Sequence, residues 1–505
     1  MSETNFSIPR RQAPIGVVIL FAENIRKLIQ IVAALVFATL YMEDFPISTG
    51  GLVGIGACIM AVFTFFQYMR FTFHVKGEEL ILEKGVFHRE RLSIPFDRIQ
   101  TVHLSQNIIQ QIVQVTGLKI DTAGSGKEEL KISALSYADA KALQLVLQKD
   151  QVVQEQSVGH QGEETPAAQD VKEERTILVK LSFAQLVLVG LTENHIRSGL
   201  IAIGVLWGYY FQLKDLMDGP LKDSTDFDPN EMESLITTAS FGFIMVLFLV
   251  VLFLIASVLV SMVRTILKDF NLEASLGKMN LKVSSGLLKR NEYSIPLSKI
   301  QMMKWQGNFL RNIPGFESVI IKQSSSRESE KKQRVEIPAC FPEQTLKLEN
   351  ELFKGLNENE LFGYSPHSYF VFFLSMIYSV IALVPAVLLY LGTKHYGVLI
   401  GYVVFVLIIS VWVRKYVDTI SLKTNGEVIQ YSSGWLFTQR TLLMLYKVQS
   451  VKMSQSIFQE KRGTAHLTLF TAGGPLRLRF LPEELAQQLY DYFLYKVETS
   501  DQSWM

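Results

Sequence analysis

The stretch Ile94-Pro95-Phe96-Asp97-Arg98-Ile99-Gln100-Thr101-Val102 decides the fold, because its pattern returns twice further along the chain. At an offset of 201 residues the chain reads Ile295-Pro296-Leu297-Ser298-Lys299-Ile300-Gln301-Met302-Met303. A further 148 residues on, it reads Leu443-Met444-Leu445-Tyr446-Lys447-Val448-Gln449-Ser450-Val451. A long internal repeat marks a chain that is built from copies of one structural unit. The sequence therefore predicts three related modules.

Each copy of the motif holds a basic residue followed by an aliphatic residue and Gln, and a glycine precedes each copy. One interpretation is structural: the glycine takes a positive φ at a strand end, and the aliphatic residues fill a buried strand. The residues with this expected role are Gly85, Ile94, Pro95, Ile99, Gln100, Gly286, Ile295, Pro296, Ile300, Gln301, Gly434, Val448 and Gln449. In the other interpretation Arg98, Lys299 and Lys447 contact anionic lipid headgroups, where each basic side chain contributes about 1 kcal/mol.

The composition is that of a membrane protein. The 505-residue chain is 49% hydrophobic and only 19% charged, and its mean hydropathy is +0.22. Runs without any ionisable residue cover 45–69, 234–263, 368–393 and 396–413. A helix needs about 20 apolar residues to cross the hydrocarbon core of a bilayer. These runs predict transmembrane helices, and buried core helices are the alternative.

The apolar runs fall into three pairs, and each pair predicts a helical hairpin. The pairs are 26–42 with 47–69, 197–213 with 235–263, and 369–391 with 396–413. The first helix of the first two pairs is short, but flanking Lys and Arg side chains can snorkel to the interface and extend it. The predicted fold class is therefore an α+β membrane protein with six transmembrane helices in three hairpins.

The charges at the ends of the hairpins predict their orientation. The loop 214–234 holds two Lys against seven acidic residues, and the loop 42–51 holds two acidic residues and no basic one. Basic residues gather at the opposite ends, at Arg10, Arg11, Arg26, Lys27, Arg70, Arg264, Arg414 and Lys415. Cytoplasmic flanks carry the excess of Lys and Arg. We therefore expect a multi-pass protein of the plasma membrane whose termini and modules are cytoplasmic.

Each hairpin is followed by a segment with the alternation of short β-strands. In the first module, 71–75, 79–83, 92–95, 118–122 and 129–132 are predicted strands, and 137–147 is a predicted closing helix. We expect each module to be a small β-sandwich or partly open barrel capped by its C-terminal helix. The predicted boundaries are 1–69 (N-terminal segment and hairpin 1), 70–148 (module 1), 149–175 (flexible linker), 176–263 (interfacial helix and hairpin 2), 264–358 (module 2), 359–413 (hairpin 3) and 414–505 (module 3).

The repeated Ile-Pro-x-x-Arg/Lys-Ile-Gln pattern, with a glycine and a hairpin before it, resembles the bacterial pleckstrin-homology (PH)-like domain membrane proteins of the YdbT type. The resemblance covers nearly the whole chain and is strongest in the first copy. The third copy has Met444 in place of the Pro and Val448 in place of the Ile. The resemblance implies modules of two near-orthogonal sheets closed by a helix, and a membrane location. It implies no established reaction.

Two of the three modules are strongly basic. Residues 264–340 hold 14 basic and seven acidic side chains and residues 414–480 hold ten and three, against nine and eight in 70–135. Either ordinary positive-inside bias or contact with anionic lipid explains this charge. Nucleic acid is not an expected partner, because no recognition motif accompanies the charge. The candidate lipid or partner contacts are Arg98, Lys299, Lys447, Lys331, Lys332, Arg334, Lys461 and Arg462.

The sequence contains no recognisable catalytic set. The two cysteines, Cys58 and Cys340, exclude a disulfide framework and a cysteine-rich zinc site. His74, His88 and His103 lack the spacing of metal ligands. We expect no enzyme, no metal and no cofactor.

These observations predict a protein that binds lipid headgroups or partner proteins at the inner leaflet, or acts there as a scaffold. The partner is a membrane protein or a second copy of the chain. A component of an export or envelope-defence system is the alternative. The spans carry essentially no ionisable residue that would mark an ion pathway, which counts against ion-coupled transport.

Overall fold

The computed structural model describes residues 6–24, 30, 49–122, 130–156, 175–193, 199, 201, 203–208, 229–323, 334–353 and 362–500. Within these ranges the chain forms three successive modules, each with two groups of antiparallel strands and a closing helix. The predicted α+β class is confirmed. The sequence did not predict that neighbouring modules share their sheets.

The first module follows the long helix α1 (Thr49–Arg70). Its strands are β1 (Thr72–Lys76), β2 (Glu79–Lys84), β3 (Glu90–Pro95), β4 (Ile99–Gln106), β5 (Val115–Thr122) and β6 (Leu130–Ser136). Its helices are α2 (Ile108–Ile112) and α3 (Tyr137–Gln156). Helix α3 therefore continues past the predicted end of the module into the predicted linker, and the remainder of that linker up to residue 174 lies outside the described residues.

The second module has the same order of elements. Its strands are β7 (Thr176–Lys180), β8 (Glu273–Leu276), β9 (Asn280–Ser285), β10 (Arg290–Pro296), β11 (Ile300–Gln306), β12 (Glu317–Gln323) and β13 (Arg334–Cys340). Its helices are α4 (Phe183–Leu191), α5 (Pro229–Asp269), α6 (Phe309–Asn312) and α7 (Pro342–Leu352).

The third module completes the repeat. Its strands are β14 (Phe362–Tyr364), β15 (Ser421–Thr424), β16 (Val428–Ser433), β17 (Gln439–Met444), β18 (Val448–Ser454), β19 (Thr464–Thr471) and β20 (Gly474–Pro482). Its helices are α8 (Tyr369–Thr393), α9 (Gly397–Asp418), α10 (Ile457–Glu460) and α11 (Glu483–Thr499).

The first strand of each later module comes before the membrane helices, a feature that the predicted boundaries missed. Strand β7 pairs with β8 across the region that contains α5, and β14 pairs with β15 across α8 and α9. In the first module, Arg10 forms an isolated bridge with Phe73 of β1 in the same manner. The segment that contains the membrane helices is thus an insertion into the first sheet of its module.

Strands from neighbouring modules pair directly with each other. Strand β4 of the first module pairs with β10 of the second, and β11 of the second pairs with β17 of the third. The result is two seven-stranded sheets, flanked by the three-stranded sheets β1-β2-β3 and β18-β19-β20. The cores also interlock, because Met302 of β11 packs in the core of the third module while Leu442 of β17 packs in that of the second.

Four helices in the described residues are long and apolar enough to cross a membrane. The segments are Val53–Arg70, Ile244–Asp269, Tyr369–Thr393 and Gly397–Asp418. They agree with the predicted second helix of hairpins 1 and 2 and with both helices of hairpin 3. The predicted span 26–42 lies almost wholly outside the described residues, and the span 197–213 is described as helix only in part, over 199, 201 and 203–208.

Helix α4 corresponds to the predicted interfacial helix, and it packs on α5. A Cβ added at Gly190 would lie only 2.7 Å from the Cα of Met262, so the two helix backbones are in close contact. At its start Ser182 and Gln185 form a capping box, in which the Ser182 hydroxyl accepts from the Gln185 backbone N–H at 3.3 Å.

Candidate functional site

Three equivalent β-hairpin turns, between β2 and β3, β9 and β10, and β16 and β17, lie where the modules meet the membrane helices. We call these turns the hairpin tips. Each tip begins at the glycine that precedes the repeated motif: Gly85, Gly286 and Gly434 have φ values of 111°, 108° and 100°. A Cβ at any of them would collide with the carbonyl oxygen three residues on. The predicted requirement for a positive φ is confirmed, and only glycine satisfies it without strain.

The tips are attached to the ends of the membrane helices. In the second module, the backbone N–H groups of Leu287 and Gly286 donate to the carbonyl oxygens of Leu267 and Phe270, at 3.0 and 2.9 Å. In the first module, Phe87 at the tip stacks on Phe63 of α1 with ring centroids 6.2 Å apart, and it is 93% exposed. In the third, Lys415 Nζ lies 4.8 Å from the ring centroid of Trp435.

Each module also contains a short helix that exposes apolar side chains. Helices α2, α6 and α10 hold the same place in the three modules, and Ile112, Ile313 and Ile457 beside or within them are 76%, 73% and 71% exposed. The further exposed apolar residues of these helices are Ile108, Ile109, Phe309, Leu310 and Phe458. Contiguous exposed apolar groups mark surfaces that contact a partner or a membrane.

Hydrogen bonds and a ring contact place these short helices at the membrane end of the modules. Asn308, the N-cap of α6, donates through Nδ2 to the carbonyl of Thr192 at the end of α4, at 2.9 Å. Arg462, just after α10, lies 5.5 Å from the ring centroid of Tyr369, the first residue of the membrane helix α8. Gln111 of α2 donates through Nε2 to the carbonyls of Leu287 and Leu288 at the second tip, at 3.2 and 3.1 Å. The apolar short helices and the hairpin tips therefore belong to one surface, which we call the membrane-end surface.

The second module has a pocket of about 750 Å³ on this surface. One part of its wall is apolar and formed by Leu259, Val260, Val263, Leu267 and Leu288; the other part is polar and formed by Arg264, Lys268, Lys289 and Asn291. Lys268 Nζ lies 3.9 Å from carboxylate oxygens of Asp269 and Glu336, so its charge is partly neutralised. An apolar wall beside cationic side chains at the end of a membrane helix suits an amphiphile with an anionic head.

The basic residue of the repeated motif lies between modules. Lys447 is 2% exposed, and its Nζ donates a hydrogen bond to the carbonyl of Ser298 in the second module. The expected headgroup contact of Lys447 is therefore wrong, because a side chain this deeply buried between two modules does not reach lipid. At the equivalent positions, Lys299 of the second module is half-buried and Arg98 of the first module is exposed.

The other predicted contacts are distributed differently. Lys461 and Arg462 are exposed at the end of α10, on the membrane-end surface. Lys331 and Lys332 lie outside the described residues. Arg334 is the first residue of β13, where its backbone pairs with Lys322.

The pocket residues Arg264, Lys268 and Lys289 were not among the predicted contacts. The sequence did carry a signal for them: Arg264 flanks an apolar run, and Lys289 follows the repeated glycine by three residues. What was missing is the contact between hairpin tip and helix end that brings them together. Within the described residues no group of three or more His, Cys, Asp or Glu side chains is placed to hold a metal ion.

Comparison with known proteins agrees with this repeated arrangement. The family described as Bacterial PH domain matches three stretches, 17–151, 234–355 and 370–497. The chain belongs to the bacterial PH domain family. Each matched stretch includes membrane-helix residues as well as the module that follows them.

A curated relative extends the match beyond the single bacterial PH domain. The chain is 24% identical over 482 residues to the UPF0699 transmembrane protein YdbT of Bacillus subtilis (strain 168), covering 90% of this chain and 91% of the relative. The similarity therefore covers about nine tenths of each of the two chains. The chain is a membrane protein of this type.

Proposed function

We propose that this protein is a six-span inner-leaflet scaffold whose three cytoplasmic PH-like modules bind anionic phospholipid. The observation that carries the proposal is the pocket beside α5, in which five apolar side chains adjoin Arg264, Lys268 and Lys289. A phospholipid offers an acyl chain for the first group and a phosphate for the second. Each hairpin holds its module against the bilayer, so weak contacts act at high effective concentration.

The pairing of strands supports six spans. Strands β7 and β8 are neighbours in one sheet, so the chain leaves and re-enters the same side of the membrane between Lys180 and Glu273. Only one long apolar helix is described in that interval, and an even number of crossings is needed. Arg10 and Phe73 form a β-bridge and lie on either side of the first predicted hairpin, so an even number of crossings is expected there too.

The membrane-end surface supports the lipid part. Its short helices expose Ile112, Ile313 and Ile457, and residues of this kind lie at the headgroup boundary in interfacial helices. Because all three modules repeat this arrangement, they are expected to rest on the bilayer in the same manner. The protein acts by binding, and no catalytic role is assigned to it.

The test uses the full chain in nanodiscs that contain neutral and anionic phospholipid. After extraction into mild detergent, native mass spectrometry measures the retained anionic lipid. The variant Arg264→Gln/Lys268→Gln/Lys289→Gln is expected to retain less anionic lipid, with neutral lipid unchanged.

A matched control removes the same charge elsewhere. Lys76, Lys278 and Lys423 are exposed in the first sheets of the three modules, at or near the turns that lie away from the helix ends. The triple Gln variant of these lysines should keep the wild-type lipid content. If both variants lose the same amount of anionic lipid, the loss depends on the overall charge of the protein, and the pocket is not the lipid-binding site.

A further inference from the structure

The two junctions between modules are copies of one interface. At the first, Val102, His103 and Leu104 of β4 lie opposite Ser294, Tyr293 and Glu292 of β10; at the second, Met303, Lys304 and Trp305 of β11 lie opposite Leu442, Thr441 and Arg440 of β17. When the repeats are aligned on their motifs, these pairs coincide residue for residue. The strand at the end of each motif therefore pairs, in a fixed register, with the strand at the start of the next motif.

The same chain keeps one unused copy of each half of this interface. Strand β18 corresponds to β4 and β11, and strand β3 corresponds to β10 and β17. Among the described strands, β18 pairs only with β19 and β3 pairs only with β2. The first and last sheets thus end in complementary edges at opposite ends of the chain.

The motif strand is more buried at the first junction than at the open edge of the third module. Thr101, His103 and Ser105 on β4 are buried by the second module. Their equivalents on β18, Ser450, Lys452 and Ser454, are exposed. The motif glutamine follows the same rule, because Gln301 is 1% exposed while Gln449 is exposed.

The chain itself contacts the opposite edges of these two sheets. Backbone hydrogen bonds join Arg10 and Phe73 in both directions at 2.9 Å along β1. His367 donates its backbone N–H to the carbonyl of Phe480 on β20, at 2.7 Å. The edges of β3 and β18 are left without a paired strand in the described part of the chain, and an unpaired edge is a template for another strand.

We propose that β18 of one molecule pairs with β3 of a second copy, head to tail, in the register of the internal junctions. Lys452 then lies opposite Leu92 of the second copy and diagonal to Glu90, within reach of a favourable cross-strand charge contact. A lysine at this place is compatible with pairing, because Lys304 holds the equivalent position in the formed junction, opposite Thr441.

The proposal also gives the repeated basic residue a single role. Lys447 donates to the carbonyl of Ser298 in the preceding module, whereas the equivalent Arg98 of the first module is exposed. In the head-to-tail assembly the preceding module is the third one of the neighbouring molecule. Arg98 then donates to the carbonyl of that molecule's Tyr446, the residue equivalent to Ser298.

The occupant is a second copy because both complementary edges belong to this chain and continue an interface that it already forms twice. Such a contact is heterologous, so it generates a ring where the rotation closes and a filament where it does not. Membrane anchoring keeps the modules of every copy at one bilayer surface, which favours closure into a ring. This inference is independent of lipid binding.

The test is disulfide crosslinking of the full chain in nanodiscs or native membranes, in a Cys58→Ser background. The pair Lys452→Cys and Leu92→Cys is expected to give disulfide-linked dimers and larger species on oxidation. The pair Lys452→Cys and Ser93→Cys is the matched control, because adjacent residues of a strand point to opposite faces of the sheet. The pair His103→Cys and Tyr293→Cys, at the internal junction, should crosslink within one chain.

A second measurement does not depend on cysteines. The detergent-extracted protein should have a mass above that of one chain, and Lys452→Glu should shift it toward one chain, with Glu90→Lys in the same molecule restoring it. The proposal is overturned if the internal pair crosslinks while the β18–β3 pair gives only monomer, if that pair closes within a single chain, or if it captures a different protein and not a second copy.

Discussion

His103 is a neutral imidazole buried in the first junction. Its ring stacks on Tyr293 with centroids 4.1 Å apart and planes 2° from parallel. Burial, and next the charges of Lys119 and Lys289, lower the pKa of His103 from 6.5 to about 3, against a smaller opposing effect of a hydrogen bond with Asn291. The folded protein therefore does not protonate this ring at any pH near neutrality.

The first prediction follows from the sign of that shift. Below about pH 6.5 the unfolded chain binds a proton at His103 that the folded chain does not, so stability is present above this pH and is lost as the pH falls toward about 3. At pH 5 the loss from this group is about 2 kcal/mol. Thermal unfolding of the detergent-solubilised protein between pH 7.5 and 5 measures it.

Two variants isolate the contribution of this residue. His103→Gln should unfold with a flatter pH dependence than the wild type. His88→Gln, which alters an exposed histidine at a hairpin tip, should keep the wild-type slope. Parallel slopes for the wild type and His103→Gln would show that the buried ring does not control the pH response.

The second prediction concerns a buried ion pair at the other junction. Arg440 of β17 lies 2.6 Å from Glu349, which is 1% exposed, and its guanidinium lies 4.7 Å from the ring centroid of Trp305. Arg440→Met leaves the carboxylate buried without its cation, which costs about 3–5 kcal/mol of stability. Arg440→Met/Glu349→Met should recover most of the loss, because the fully buried carboxylate is removed with its cation, and Glu317, which lies 4.0 Å from Arg440, is 34% exposed.

The measurement is the free energy of unfolding in detergent for the wild type, both single variants and the double variant. Lys496→Met is the control, since its pair with Glu427 is exposed and contributes little. If the double variant is less stable than Arg440→Met, the stabilisation comes from contacts other than the ion pair.

At the scale of elements, the short helix α10 gives a third prediction. Ile457 is 71% exposed and is the first residue of the helix, between Ser456 and Gln459 of its capping box. If α10 enters the headgroup region, a fluorophore on Ile457→Cys in the Cys58→Ser background should be quenched by spin-labelled lipid in nanodiscs. The same fluorophore on Lys423→Cys, near the far turn of the module, should not be quenched, and equal quenching at both sites would contradict the assigned surface.

Local elements followed from the sequence, but the connections between them did not. The alternation around Leu80 and Leu82 gave β2 correctly, and the glycines gave the three tips. The pairing of β4 with β10 was not predicted. The alternation of apolar residues in a strand indicates which face is buried, but it does not indicate which distant strand pairs with it. For the same reason a lipid contact stayed open for Lys447, whose acceptor is a backbone carbonyl of another module.

At the scale of the molecule, shared sheets and membrane hairpins restrict each other. Two modules joined edge to edge lie on the same side of the bilayer, so every membrane segment between them crosses an even number of times. Helices α8 and α9 meet this condition, with the turn Lys394–Tyr396 between them. We therefore expect all three modules to lie on one side of the membrane, so that one accessible position on any module reports the side of all three.

The fourth prediction assigns that side. Because basic residues flank the module ends of the hairpins, the modules should be cytoplasmic. In a Cys58→Ser background, Lys278→Cys at the β8–β9 turn should react with a membrane-impermeant maleimide only after cells are permeabilised. His395→Cys, in the turn between α8 and α9, should react in intact cells, and Cys340 is buried and should stay silent. The reverse pattern would place the modules outside the cell, and the inner-leaflet function would fall with it, whereas the pairing of β18 with β3 would stand.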